Sequence, residues 1–224
     1  MEHKSGFTFQ RMKDQMIEAL LDEGIKDFRV LDAMSKIERH KFVDEALWSR
    51  AYENRSLSIG HRQTISQPYI VARMTELLIQ RFVGRGKIMK NVLEIGSGCG
   101  YQSAVLAQLS ENVLGLERIK PLVRKSRINL LELRISNVKI KHADGFQAAE
   151  ELGESFDGIL CASAPRDIPI EIMPLLKKDA NLVIPVGSTE QTLTVVTKIS
   201  KKNYITEQYD KVAFVPMLEG KTNH

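Results

Sequence analysis

The sequence predicts an α/β fold: a Rossmann-like, mostly parallel sheet that ends in an antiparallel hairpin and carries an N-terminal helical cover. Three observations predict it. The first is NVLEIGSGCGY, residues 91–101, where an apolar run of buried-strand composition meets a glycine-rich turn and then helical spacing over 102–109. The second is a pair of further short strand-like stretches, VLGLER and VKIKHADG, with acids at their carboxyl ends, Glu117 and Asp144. The third is a change of pattern at Gln191, from buried runs to alternation: QTLTVVTKI, a turn over 200–203, then YITEQY.

The glycine turn and the acids narrow the ligand. Gly96, Gly98 and Gly100 let the backbone turn sharply and approach a ligand where a side chain would collide. The spacing is GxGxG, with Tyr101 in the place of the third glycine of the dinucleotide fingerprint. No GK[ST] follows, which excludes a phosphate-cradling P-loop. Glu94, near the end of the first strand, can reach the amino group of an amino-acid-like ligand. Glu117, 21 residues after Gly96, stands where a carboxylate takes both hydroxyls of a ribose. Acids at three successive strand ends suit a cationic, phosphate-free adenosine ligand, S-adenosylmethionine. Parallel βαβ units finishing in an antiparallel hairpin match the methyltransferase architecture that uses it.

Composition sets the outer limits. The 224 residues fit one domain, and 43% hydrophobic with 27% charged content is ordinary for a soluble globular chain. A net charge of +4 is too mild to demand nucleic acid as a partner. The basic stretch Arg118, Lys120, Arg124, Lys125, Arg127 reads as a solvated helix face. Two cysteines, Cys99 and Cys161, suggest no disulfide and hence a reducing compartment. MEHKSG lacks an apolar signal core and no run approaches membrane-spanning length, so a cytoplasmic enzyme with no membrane partner is the expectation.

In chain order, Phe9, Met12, Met16 and Leu20 make a helical stripe that stops at Gly24. Asp27 is placed to cap a second helix carrying Val30, Leu31, Met34 and Ile37, and a shorter helix is expected over 39–48. Residues 53–67 read as a long polar loop. A strongly periodic helix follows, with Ser66 at the N-cap and Pro68 in the first turn, closed by Gly84 and Gly86. Beyond the third strand the pattern gives a short helix and turn over 144–153, a fourth strand over 156–164, a short helix over 172–176 and a fifth strand over 181–186. VAFVPM reads as a last strand that Pro216 confines to an edge. The chain divides into residues 1–62, a helical cover with a substrate loop, and 63–224, the cofactor-binding sheet.

Elimination points to the methyl acceptor. The segment after the fourth strand is CASAPRD, without the Asn/Asp-Pro-Pro-aromatic run of base amino-methylating enzymes, and neither cysteine follows a proline as in cytosine C5 enzymes. The histidines show no metal-ligand spacing. An acceptor that needs no activation fits best, and a carboxylate is already ionised at neutral pH. The site would align, desolvate and hold that oxygen against the methyl group.

On these motifs the chain resembles the protein-L-isoaspartate O-methyltransferase family. The resemblance spans about residues 9–220; its most specific piece is QTISQPYIVARMTELL, and VLEIGSGCGYQSAVLAQL, HADG, LVIPVG and FVPM match in order. It implies Ser66 as the active-site serine, so that helix cap and substrate contact could be one hydroxyl. It further implies Thr64 and Ile65 beside the cofactor, Glu117 and Arg118 at the ribose, Asp144 and Gly145 flanking the adenine, and backbone near Phe214, Val215 and Pro216 holding an extended substrate peptide. The substrates implied are proteins and peptides containing isoaspartate, the cofactor S-adenosylmethionine without a metal, and the active form a monomer. Departures occur where the family has glycine: Arg62 in the substrate loop, Ala143 before Asp144, and the segment 179–181. Arg62 could pair with substrate carboxylates, on a loop that takes a different path or never needed a glycine conformation. The alternatives are a methyltransferase for another carboxylate or small molecule, a cofactor-binding relative with little activity, and an RNA-associated module.

Overall fold

The computed structural model describes residues 2–84, 86–147, 152–153 and 155–223, and their side chains from residue 8 onward. Helices α1 (Glu2–Asp22) and α2 (Phe28–Ser35) come first, followed by two 3-10 turns, Arg39–Phe42 and Glu45–Arg50. A small hairpin, β1 (Leu57–Gly60) and β2 (Gln63–Ile65), leads to α3 (Pro68–Ile79). Then come β3 (Met89–Ile95), α4 (Tyr101–Leu109), β4 (Ser110–Glu117), α5 (Lys120–Glu132), β5 (Val138–His142) and β6 (Phe156–Cys161). The last three strands are β7 (Leu176–Gly187), β8 (Gln191–Lys198) and β9 (Tyr204–Val212).

The main sheet has the order β5-β4-β3-β6-β7-β8-β9. Its pairings are parallel from β5 to β7 and antiparallel from β7 to β9. The chain enters at β3, works outward to β5, and returns to β6 on the other side of β3. That reversal opens a crevice beyond the carboxyl ends of β3 and β6, where open α/β sheets bind their ligands.

Both faces of the sheet are covered, which is why Val92, Leu93 and Ile95 of β3 are all apolar and buried whichever face they point to. Leu93 and Ile95 pack with Leu116, Ile159 and Leu182 on one face. On the other, Val92 joins a core that includes Met16, Leu20, Val30, Met34, Leu78 and Val105. The N-terminal helices therefore share the principal core, and each such side chain stabilises the fold by about 1.5–3 kcal/mol over its exposed state. Asp27 caps α2, its Oδ1 accepting from Arg29 N at 2.9 Å, and Gly24 ends the α1 turn at φ 98°.

Several local expectations fail for identifiable reasons. The polar stretch 53–67 is not one long loop: residues 57–60 and 63–65 within it pair antiparallel as β1 and β2, and their turn is made by His61 and Arg62 at φ 52° and 56°. Left-handed backbone is ordinarily supplied there by Asn or Gly, so the hairpin carries no composition signal. Arg62 thus holds the conformation glycine would adopt, and Asp179 does the same at φ 64°. Ser66 is not the cap of α3. Gln67 occupies that position without a side-chain cap bond, and the orphan N–H of Tyr69 is taken by Asn54 Oδ1 at 3.0 Å. The helix expected over 39–48 is the pair of 3-10 turns, that over 172–176 shrinks to Met173–Leu175, and β7 begins earlier than expected. VAFVPM is no separate strand: Val212 closes β9, Gln191 takes both the N–H and the C=O of Phe214, and Pro216 forms an isolated bridge with Ala164. Of the short helix expected over 144–153, residues 148–151 lie outside the described residues.

Candidate active site

The crevice is built on the glycine turn. Gly96, Gly98 and Gly100 have φ of 83°, 52° and 90°, left-handed values that side chains rarely adopt. Gly96 N and Ser97 N both donate to Leu116 O, at 2.8 and 3.1 Å, which ties the turn to the end of β4. A Cβ at Gly98 would stand 3.2 Å from Ile59 of the β1–β2 hairpin, so turn and hairpin nearly touch. Gly100 has a different task. It starts α4 outside the cleft, and a Cβ there would meet Ser126 of α5 at 3.2 Å.

The acids at the strand ends sit in this wall. Glu94 is fully buried; Ser103 of α4 donates to its Oε2, and its Oε1 has no partner among the described residues. Burial pushes its pKa up to about 8, against the Ser103 bond, with the charge of Glu117 adding a little. Glu117, at 5% exposure, accepts from Ile119 N at 2.8 Å through Oε1 and from Gly98 N at 2.9 Å through Oε2. Burial raises its pKa despite these bonds, and each oxygen keeps a lone pair for another donor. The buried hydroxyl of Ser97, which also lines the cleft, is likewise without a partner among the described residues.

The far side is closed by a C-terminal strap. Gly145 lines the cleft, and a Cβ there would collide with Ile95 and come within 2.9 Å of Met217 Cε. Asp144 lies behind the wall: Oδ1 accepts from Phe146 N at 2.9 Å and Oδ2 from Gly220 N at 2.6 Å. It fastens the strap. Arg118 lines the cleft, while its Nε donates to Gly220 O at 2.8 Å.

On the hairpin side, Thr64, Ile65 and Ser66 line the cleft, and the Ser66 hydroxyl has no hydrogen-bond partner among the described residues. Val215 and Pro216 also line it. Phe214 packs on the core with its backbone engaged by Gln191, and the Val215 carbonyl accepts from Ala164 N at 2.9 Å. Among the described residues, the Val215 N–H and the Pro216 carbonyl have no hydrogen-bond partner. Arg62 is exposed at the hairpin tip, outside the cleft lining. Sequence reading passed over Arg39, Asn54 and Gln191. Each sits in a polar stretch that looks solvent-facing, and only its distant carbonyl or amide partner reveals it.

A cation, a hydroxyl pair and an amino-acid end would satisfy what this wall leaves unmet: the Glu94 oxygen, the spare lone pairs of Glu117, and Ser97. The residues fit S-adenosylmethionine, and fold and site together define the class of methyltransferases that use it. The family model described as protein-L-isoaspartate(D-aspartate) O-methyltransferase matches residues 10–222, and the chain belongs to that family. A protein-L-isoaspartate O-methyltransferase from Methylobacillus flagellatus is 50% identical over 218 residues, covering 96% of this chain and 95% of the relative. One from Saccharophagus degradans is 48% identical, covering 97% and 96%. Among solved structures, a protein-L-isoaspartate O-methyltransferase from Plasmodium falciparum in complex with S-adenosyl-L-homocysteine is 28% identical with a TM-score of 0.78, covering 91% of this chain and 97% of that one. A further protein-L-isoaspartate O-methyltransferase structure, 22% identical with a TM-score of 0.80, shares the fold; the match covers 94% of this chain and 67% of that one.

Proposed function

We infer that the chain transfers a methyl group from S-adenosylmethionine to the free carboxylate of L-isoaspartyl residues in damaged proteins and peptides. The observation that carries this reading is one cleft with two unmet ends, an orphaned buried carboxyl at Glu94 and an unengaged hydroxyl at Ser66. Glu94 takes the ammonium of the cofactor, Glu117 the ribose, and Gly96 and Gly98 allow close approach. Gly145, with Asp144 behind it, shapes the adenine end, and Arg118 keeps the strap over it. Thr64 and Ile65 lie along the cofactor on the hairpin side.

The bound cofactor supplies an electrophilic methyl group on a sulfonium. The substrate carboxylate is ionised at neutral pH and needs no base. Ser66 donates a hydrogen bond to one carboxylate oxygen without removing a proton, and so points the other along the line of transfer. Val215 N–H and the Pro216 carbonyl pair with the backbone of an extended substrate segment. The methyl ester that forms loses methanol when the neighbouring backbone nitrogen attacks it, giving the succinimide from which normal aspartate is regained on hydrolysis. One unit performs this, with residues 1–62 as cover and substrate loop on the sheet of 63–224; the boundary itself falls in the β1–β2 turn.

An acceptor panel tests the assignment. Labelled S-adenosylmethionine is offered with an isoaspartyl peptide, an unrelated small carboxylate and RNA. Label in the peptide alone is expected. Label in RNA or in the small acid would replace this reading.

A further inference from the structure

One charged side chain buried behind the cleft is not used by the reaction. Arg39 opens the first 3-10 turn of the cover and is completely buried. Among the described residues it makes no ion pair. Its Nε donates to Ala51 O and its Nη2 to Ser66 O, both at 2.7 Å. The guanidinium lies 4.7 Å over the ring of Tyr101, the residue that follows Gly100. Among the described residues, neither Nη1 nor the Tyr101 hydroxyl has a hydrogen bond of good geometry.

Burying a cation without a carboxylate is expensive, and desolvation lowers its pKa accordingly. An apolar side chain of similar size would fill the space more cheaply. What it could not do is hold two carbonyls on one rigid fork while stacking on an aromatic face. One tine of that fork and the stacked ring belong to the cleft. Ser66 and Tyr101 both line the cleft, one on the substrate side and one on the cofactor side. Arg39 is therefore the part that spans the two halves from behind.

We propose that Arg39 is a positioning residue: it fixes the Ser66 backbone against Tyr101, and so sets where the Ser66 hydroxyl stands relative to the cofactor. This rests on the reading of Ser66 given above. A misplacement of about 1 Å at a reacting centre costs on the order of a hundredfold in rate, so the effect falls on turnover and little on binding.

The test is a double-mutant cycle on Arg39→Lys and Ser66→Ala, with Arg39→Gln measured alongside in case the lysine variant does not fold. Lysine keeps the charge but has a single nitrogen and cannot hold both carbonyls in one plane. Arg39→Lys is expected to lower kcat for an isoaspartyl peptide at least about tenfold, with KM and the Kd of S-adenosylhomocysteine changed less than about threefold. Ser66→Ala added to it should cost less than about twofold more, because the two residues act as one unit. Fully multiplicative losses, or losses shared by the Kd of S-adenosylhomocysteine, would overturn the inference as a general packing defect. Normal kcat in Arg39→Lys or Arg39→Gln beside a slowed Ser66→Ala would remove Arg39 alone. Normal kcat in Ser66→Ala would remove the Ser66 reading itself.

Discussion

Cofactor binding to the free protein should release a proton, and the proton should come from Glu94. The free carboxyl is fully buried, bonded only by Ser103, with a pKa of about 8. At about pH 7 a group with that pKa is roughly nine-tenths protonated. A ligand ammonium against Oε1 favours the ionised form, so close to one proton leaves on binding. Affinity should then rise about tenfold per unit between about pH 6 and the free pKa, and level off above it. The ligand of choice is S-adenosylhomocysteine, which keeps the amino group and cannot turn over. Calorimetry in two buffers of different ionisation enthalpy reads the proton directly. Glu94→Gln should abolish both the release and the slope. A flat affinity and no proton in the unmutated protein would mean that Glu94 is already ionised, and that the ammonium is bound elsewhere.

Other outcomes follow from the same geometry. Without ligand, the protonated Glu94 is the stable folded form; its raised pKa gives a contribution present below the ordinary 4.5 and lost as pH rises through about 8, which denaturant titration across that range should show. Arg62→Gly should stabilise the protein by about 0.5–1 kcal/mol, because the left-handed turn no longer carries a side chain, and should leave kcat/KM for acidic and neutral isoaspartyl peptides in the same ratio. Asn54→Ala should cost about 1 kcal/mol through the lost cap on Tyr69 N, whereas Ser66→Ala should change stability by less than about 0.5 kcal/mol while slowing turnover. Gly145→Ala should abolish S-adenosylhomocysteine binding in a folded protein, since the methyl would push Ile95 or Met217 into the cleft.

The parts of this account that were legible in the sequence are those with strict spacing. The glycine turn and the acid at the end of β4 stand at a fixed spacing, the helices of the cover repeat their apolar residues at the period burial imposes, and the switch to alternation marks β8 and β9. The hairpin β1–β2 was hidden because its turn uses His and Arg at angles normally left to Asn and Gly. Ser66 was misread as a cap because spacing alone cannot show that Asn54, distant in sequence, already fills that role. The family resemblance puts Asp144 at the adenine end but does not show that its carboxylate also holds the strap, accepting from Phe146 N and Gly220 N. Arg39 and Gln191 were invisible for a related reason. Their partners are backbone groups brought near by folding, and a backbone group has no signature in composition.

The measurement that bears most directly on the central claim uses a pair of peptides differing only in one linkage, aspartyl or isoaspartyl. Each is incubated with the protein and labelled S-adenosylmethionine, and base-labile methyl groups are counted as volatile methanol. The account predicts label in the isoaspartyl peptide, near-background label in its aspartyl twin, and loss of most of that label in Ser66→Ala. Equal labelling of the two peptides, or label resistant to base, would contradict it.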